Sequence, residues 1–193
     1  MTSLSAELRL YFGRFRQFAP VDWAVYAAWV GLMLGLTFAS TTFLVIGARA
    51  GAGFPAEALL LPLGAALFTV SIAVDTIGHR TVYKEVLRGG EALVHHIIIA
   101  TGIGSCVLLV AAYPHRLGFA VPAAVLTVLS FLYSFVDEAM HWRRYLTQRS
   151  DVVEMWSHVG ILIGHGTMMA GWWRWWWLGY PGVSETLVAM GLG

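Results

Sequence analysis

The stretches "VDTIGHRTVY" (residues 74–83) and "VDEAMHWRRY" (136–145) share the skeleton V-D-x3-H-x3-Y. Each is followed, across a short basic loop, by a second acid and histidine at the same spacing, in "EALVHH" and "EMWSH". The pattern D-x3-H then E-x3-H therefore occurs twice. Asp75, His79, Glu91 and His95 form one half; Asp137, His141, Glu154 and His158 form the other. Residues four apart lie on one face of a helix, so each acid is aimed alongside its histidine. Carboxylate and imidazole together are ligands for iron, copper and zinc. Soluble di-iron bundles combine a Glu from each of two helices with Glu-x-x-His from each of the other two. This chain offers the same ingredients with a spacing of four and a histidine on every helix. Two transition-metal ions are expected, iron first, with copper or zinc as the alternatives.

Neighbouring residues extend or compete with this set. Glu138 adjoins Asp137 and stands three before His141, but Thr76 occupies its place in the other half, which favours Asp137 as the ligand. His96 and His165 are candidates for cofactor binding, either beside the metal ions or as axial ligands of a haem b. Bis-histidine ligation would need one histidine from each of two helices at matched depth, as in His95 with His158 or His96 with His165. Haem ligation does not account for four carboxylates at one level. Tyr83 and Tyr145 fall one turn beyond His79 and His141, where they would hydrogen-bond ligands or anchor the chain at an interface. Glu85 and Asp151 read as loop charges, and His115 as a solvated turn residue.

The elements that must position these residues are spanning helices. The chain is 58% hydrophobic and 12% charged, with mean hydropathy +0.69, against about 25% charged in ordinary soluble domains. Apolar runs long enough to cross a bilayer are expected at 22–47, 55–79, 91–113, 118–141 and 152–173. Residues 1–20 read as an amphipathic segment on a membrane face, and 174–193 as an interfacial tail, all within one membrane domain. The sequence "GWWRWWWLGY" suits an aromatic belt. Nine basic residues (Arg9, Arg14, Arg16, Arg80, Lys84, Arg88, Arg143, Arg144, Arg149) fall on one side, and three (Arg49, Arg116, Arg174) on the other. The positive-inside rule then places the N-terminus in the cytoplasm and the C-terminus outside. A bacterial inner membrane is the expected location.

The fold expected is an all-α integral membrane protein of five transmembrane helices. Spans two to five form a four-helix bundle from two duplicated helical hairpins, and span one is peripheral. Because the hairpins run in the same direction, their pseudo-twofold axis would lie along the membrane normal. Lone Cys106 excludes a disulfide framework or a thiolate cluster, and net charge +1 gives no sign of nucleic-acid binding. The H-x3-H and H-x2-HH boxes of integral-membrane desaturases and hydroxylases are absent. The expected function is a membrane-embedded dinuclear, di-iron-like oxidoreductase. It would carry out oxygen-dependent oxidation or hydroxylation of a lipid-soluble substrate, as a monooxygenase does. The competing expectations are a haem b electron-transfer protein and a non-catalytic accessory subunit of a larger membrane complex. The partners are the bilayer and, in either case, an electron donor or other membrane subunits.

Overall fold

The computed structural model describes residues 4–82, 90–148 and 152–193. Among these, every regular element is helical. Helix α1 (Leu4–Gly13) leads through a 3-10 turn (Arg14–Gln17) into α2 (Pro20–Arg49). After a second 3-10 turn (Ala56–Leu59) come α3 (Leu60–Thr81), α4 (Gly90–Ala111), α5 (Arg116–Gln148), α6 (Val152–Trp177) and the short α7 (Val183–Ala189). Proline stands in the first turn of α2, where its missing N–H costs nothing.

Among the described residues, four helical stretches are long and apolar enough to cross a membrane: Pro20–Arg49, Ala56–Thr81, Gly90–Ala111 and Arg116–Thr147. Much of their apolar surface faces outward, with Phe38, Leu63, Val70, Val107, Val121 and Leu132 exposed. Such faces are at ease in lipid and costly in water, so the surroundings they fit are a bilayer. The expected fifth span, α6, has 26 residues but is not among the four. Glu154, His158, His165, Arg174 and several glycines dilute its hydropathy. It is also, with α3, one of the two helices most enclosed by their neighbours, which permits that dilution. Helix α5 continues well past His141, where the apolar run ends, and its last turns carry Arg144 to Glu91 of α4 and Glu154 of α6.

Packing is closest between α3 and α6 and between α4 and α5, with α2 against α3. Glycine permits the α3/α6 contact. A Cβ on Gly64 would sit 2.3 Å from the Met168 backbone nitrogen, and one on Gly164 would sit 2.5 Å from that of Phe68. Small residues let helix backbones meet in this way. The apolar core fills the end of the bundle remote from the D-x3-H turns, around Leu61, Ala65, Leu109, Met168, Met169, Trp172 and Trp175. The tryptophan run is thus divided. Trp172 and Trp175 are buried, and the Trp175 indole donates to the Pro181 carbonyl at 3.0 Å, while Trp177 is 66% exposed. Tyr180 donates to the Leu109 carbonyl at 2.7 Å and so ties the tail to α4.

Candidate metal centre

Helix α3 carries Asp75 and His79 near its end, and α5 carries Asp137, Glu138 and His141. Glu91 and Glu154 lie in the first turns of α4 and α6, where the helix dipole favours a carboxylate. His95 and His158 follow one turn later. At this level of the bundle two helices finish presenting D-x3-H faces while two begin E-x3-H faces, and all eight side chains turn toward one another. His79, Glu91, Asp137, His141, Glu154 and His158 are buried, and Asp75 and His95 are partly buried.

The eight residues form a continuous cluster. His95 Nε2 lies 2.8 Å from Asp137 Oδ1, and His79 Nε2 lies 3.3 Å from Asp75 Oδ2. His158 Nε2 faces Asp75 Oδ1 at 2.9 Å, while its Nδ1 faces Glu138 at 3.5 Å and Asp137 at 3.8 Å. His141 is 1% exposed. Its Nδ1 approaches Glu154 Oε1 at 3.3 Å, and its Nε2 approaches Asp137 at 3.5 Å and Glu91 at 3.6 Å. The His141 and His158 rings are 3.6 Å apart between centroids, and His79 lies 4.9 Å from His95 and 5.6 Å from His141.

Two groups of four residues offer ligand atoms within 4.8 Å of one another: His79, His141, Glu154 and His158, and Glu91, His95, Asp137 and His141. Ligand atoms about 2.1 Å from a metal lie at most about 4.2 Å apart, so each group needs only a small closure to surround an ion. Asp75 Oδ1 and His158 Nε2 meet at 2.9 Å, yet among the described residues neither atom has a well-aligned hydrogen-bond partner, and neither does His141 Nε2 or Glu91 Oε1. These buried polar atoms converge without the alignment of a donor and an acceptor. That is a costly arrangement in a low-dielectric interior, and an ion among them would satisfy it.

No protein-family model, curated protein or solved structure matches the chain.

The remaining expected residues take different places. His96 is exposed, and its Nδ1 meets the Ala92 carbonyl of its own helix. His165 is buried deeper, sandwiched between Phe68 and Phe131 with centroids 5.4 and 4.5 Å away. The structure does not bring these two histidines together. Glu138 stands beside His158, so both members of the Asp137–Glu138 pair reach the cluster. Tyr145 lines an apolar recess with Trp142, Val152, Met155, Trp156 and Val159. Tyr83, Glu85 and Asp151 lie outside the described residues.

Three contributors escape a motif search. Arg144 reaches Glu91 Oε2 at 2.5 Å and Glu154 Oε1 at 3.8 Å, capping one carboxylate from each ligand group. Its only advance signal is its place one turn after His141 and two turns after Asp137 on the same α5 face. Tyr11 inserts from α1 and is 1% exposed. Burial pushes its phenol well above the usual range, and the carboxylates of Asp75 and Glu154 push the same way. Asp22, fully buried, accepts from the Arg80 guanidinium at 2.8 Å and from the Ala19 amide at 2.9 Å.

Proposed function

We propose that this protein is an integral membrane metalloprotein holding two transition-metal ions where α3, α4, α5 and α6 meet. It works as an oxidoreductase on a lipid-soluble substrate, with oxygen as the oxidant. The observation that carries the reading is that His141 belongs to both ligand groups, with each ring nitrogen facing carboxylates. The two groups are therefore halves of one centre. Iron is the first choice for this mixed carboxylate and imidazole set, and copper or zinc the alternatives.

Charge supports two divalent ions. Among the described residues, Asp75, Glu91, Asp137, Glu138 and Glu154 oppose one guanidinium, Arg144, which leaves a formal −4 with neutral imidazoles. Two divalent cations cancel it. Uncompensated charge at this depth is strongly unfavourable, and ionisable residues within membrane bundles serve function more than stability.

In this reading α6 is the fifth span, made tolerable in lipid by its enclosure, and α2 is peripheral. A twofold that carries α3 onto α5 and α4 onto α6 exchanges the two closest helix pairs, α3/α6 and α4/α5. That exchange is what two duplicated hairpins require. The positive-inside bias puts the metal end and the N-terminus at the cytoplasmic face. There a soluble electron donor reaches the centre, and apolar substrate arrives laterally. Trp142, Met155 and Val159, walls of the recess between α5 and α6, each follow a cluster residue in sequence.

Elemental analysis of protein purified in mild detergent tests the proposal. About two transition-metal ions per chain, lost in the His79→Ala/His141→Ala double variant, is the expected result. A well-folded protein with no metal, even after anaerobic incubation with ferrous iron, would make the cluster an ion-paired imidazole–carboxylate network and overturn the reading. A Soret band in the visible spectrum would turn the assignment to haem.

A further inference from the structure

The turn of α3 that presents Asp75 and His79 is held from outside the bundle. The Tyr11 hydroxyl donates to the Val74 carbonyl at 3.0 Å and accepts from the Gly78 amide at 3.2 Å. Val74 and Gly78 are i and i+4, the two groups that an unperturbed helix pairs with each other. The hydroxyl therefore bridges the two ends of one rung of the helix. The two residues it grips immediately precede the two ligands, Asp75 and His79.

A second strap lies one residue further on. Arg80 is fixed by Asp22, whose other oxygen caps the Ala19 amide at the start of α2. His79 thus stands between Gly78, gripped by α1, and Arg80, gripped by the start of α2. Arg14 lies over the Tyr11 ring, 4.9 Å from its centre, and steadies that ring from the following turn. The N-terminal segment is more than a membrane-surface lead-in, because its contacts converge on one ligand-bearing turn.

We propose that Tyr11 is a positioning residue of the metal centre, its hydroxyl setting the α3 turn so that Asp75 and His79 reach the geometry the ions require. This rests on the metal reading above. Docking of the N-terminal helix and filling of the site are then coupled, and by linkage each favours the other. Second-layer hydrogen-bonding partners of metal ligands typically contribute tenfold or more to affinity, and Tyr11 acts one step further out, through the backbone of the ligands.

Co2+ is a suitable probe, because its ligand-field absorption reports coordination geometry. Tyr11→Phe keeps the ring and removes only the hydroxyl. It should shift the Co2+ bands and weaken Co2+ binding by about tenfold, while Tyr26→Phe, whose ring packs on Phe15, Phe18 and Trp23 away from the ligand turn, leaves both unchanged. Hydrogen exchange on the wild-type chain needs no variant: Co2+ loading should slow exchange across residues 5–18 as well as around Asp75 and His79. A wild-type protein that takes up no Co2+ overturns the metal reading itself. If the wild type binds Co2+ but exchange across residues 5–18 is unaffected, or folded Tyr11→Phe retains both spectrum and affinity, the positioning role alone is overturned.

Discussion

His141 is the residue on which the centre turns. One of its nitrogens faces Glu154, and the other faces Asp137 and Glu91, so removing it strips a donor from both ligand groups at once. His141→Ala is expected to lower bound metal from about two ions per chain toward none. His95→Ala, which touches one group, should leave about one. His96→Ala should leave the content unchanged, because that ring is exposed and turned to its own helix. Metal-to-protein ratios of the three purified variants check this ordering, and equal losses at His96 and His141 would contradict it. Arg144 makes a different prediction. Removing one partner of a buried ion pair typically costs 3–5 kcal/mol, and Arg144 is the cation over Glu91 and Glu154. Arg144→Gln should destabilise the metal-free protein by about 3 kcal/mol or more and the metal-loaded protein by less, as the ions take over neutralisation. Thermal unfolding in detergent, with and without metal, measures both differences.

At the scale of elements, the α3/α6 interface is the most demanding. The atoms that a Cβ on Gly64 or Gly164 would strike belong to the opposing backbone, which cannot turn aside as a flexible side chain can. Gly164→Ala is therefore expected to force the helices apart and cost about 1–3 kcal/mol, the usual range for overpacking. Gly166→Ala, where a Cβ meets nothing within 4 Å, serves as the control and should be neutral. The readouts are the midpoint of thermal unfolding and the monodispersity of the purified protein. The same elements show what could be read in advance. Helical periodicity makes D-x3-H and E-x3-H legible as faces, and the apolar runs mark where helices lie to within about a turn, except that α5 runs two turns past the expected end at His141. Arg144 and the Asp22–Arg80 pair were not legible, since each depends on which helices become neighbours, and spacing within one helix carries no such information. The tryptophan run was half legible: its composition suits an interface, but the helical period turns Trp172 and Trp175 inward and leaves Trp177 outside. In the sequence Tyr11 is one aromatic among several in the N-terminal segment, and only docking onto α3 distinguishes it.

For the whole molecule, the arrangement sets an end crowded with carboxylates and imidazoles against an apolar end. The far half is held by the core around Met168, Trp172 and Trp175, and its buried threonines satisfy themselves on their own helices, as Thr127 does on Ala123 and Thr101 on Ile97. That half needs no ion. Among the described residues, the cluster in the near half concentrates five carboxylates and four imidazoles around Arg144, so its packing depends on what neutralises them. Ions bound only by the folded state stabilise it by mass action, by about 4 kcal/mol at a thousandfold excess over the dissociation constant. Protons compete for the same imidazole and carboxylate atoms, so metal affinity falls as pH falls. Chelation at neutral pH, or acidification to about pH 5 where free imidazoles are protonated, should therefore release the ions and lower the unfolding midpoint, and restoring metal at neutral pH should recover it. The loss should also be local. Hydrogen exchange after chelation is expected to rise at residues 74–80, 91–96, 136–145 and 154–159, while segments lining the far core, such as 60–66 and 167–173, keep their protection. Uniform loosening along every helix would instead mean that the two ends do not respond separately to the ions.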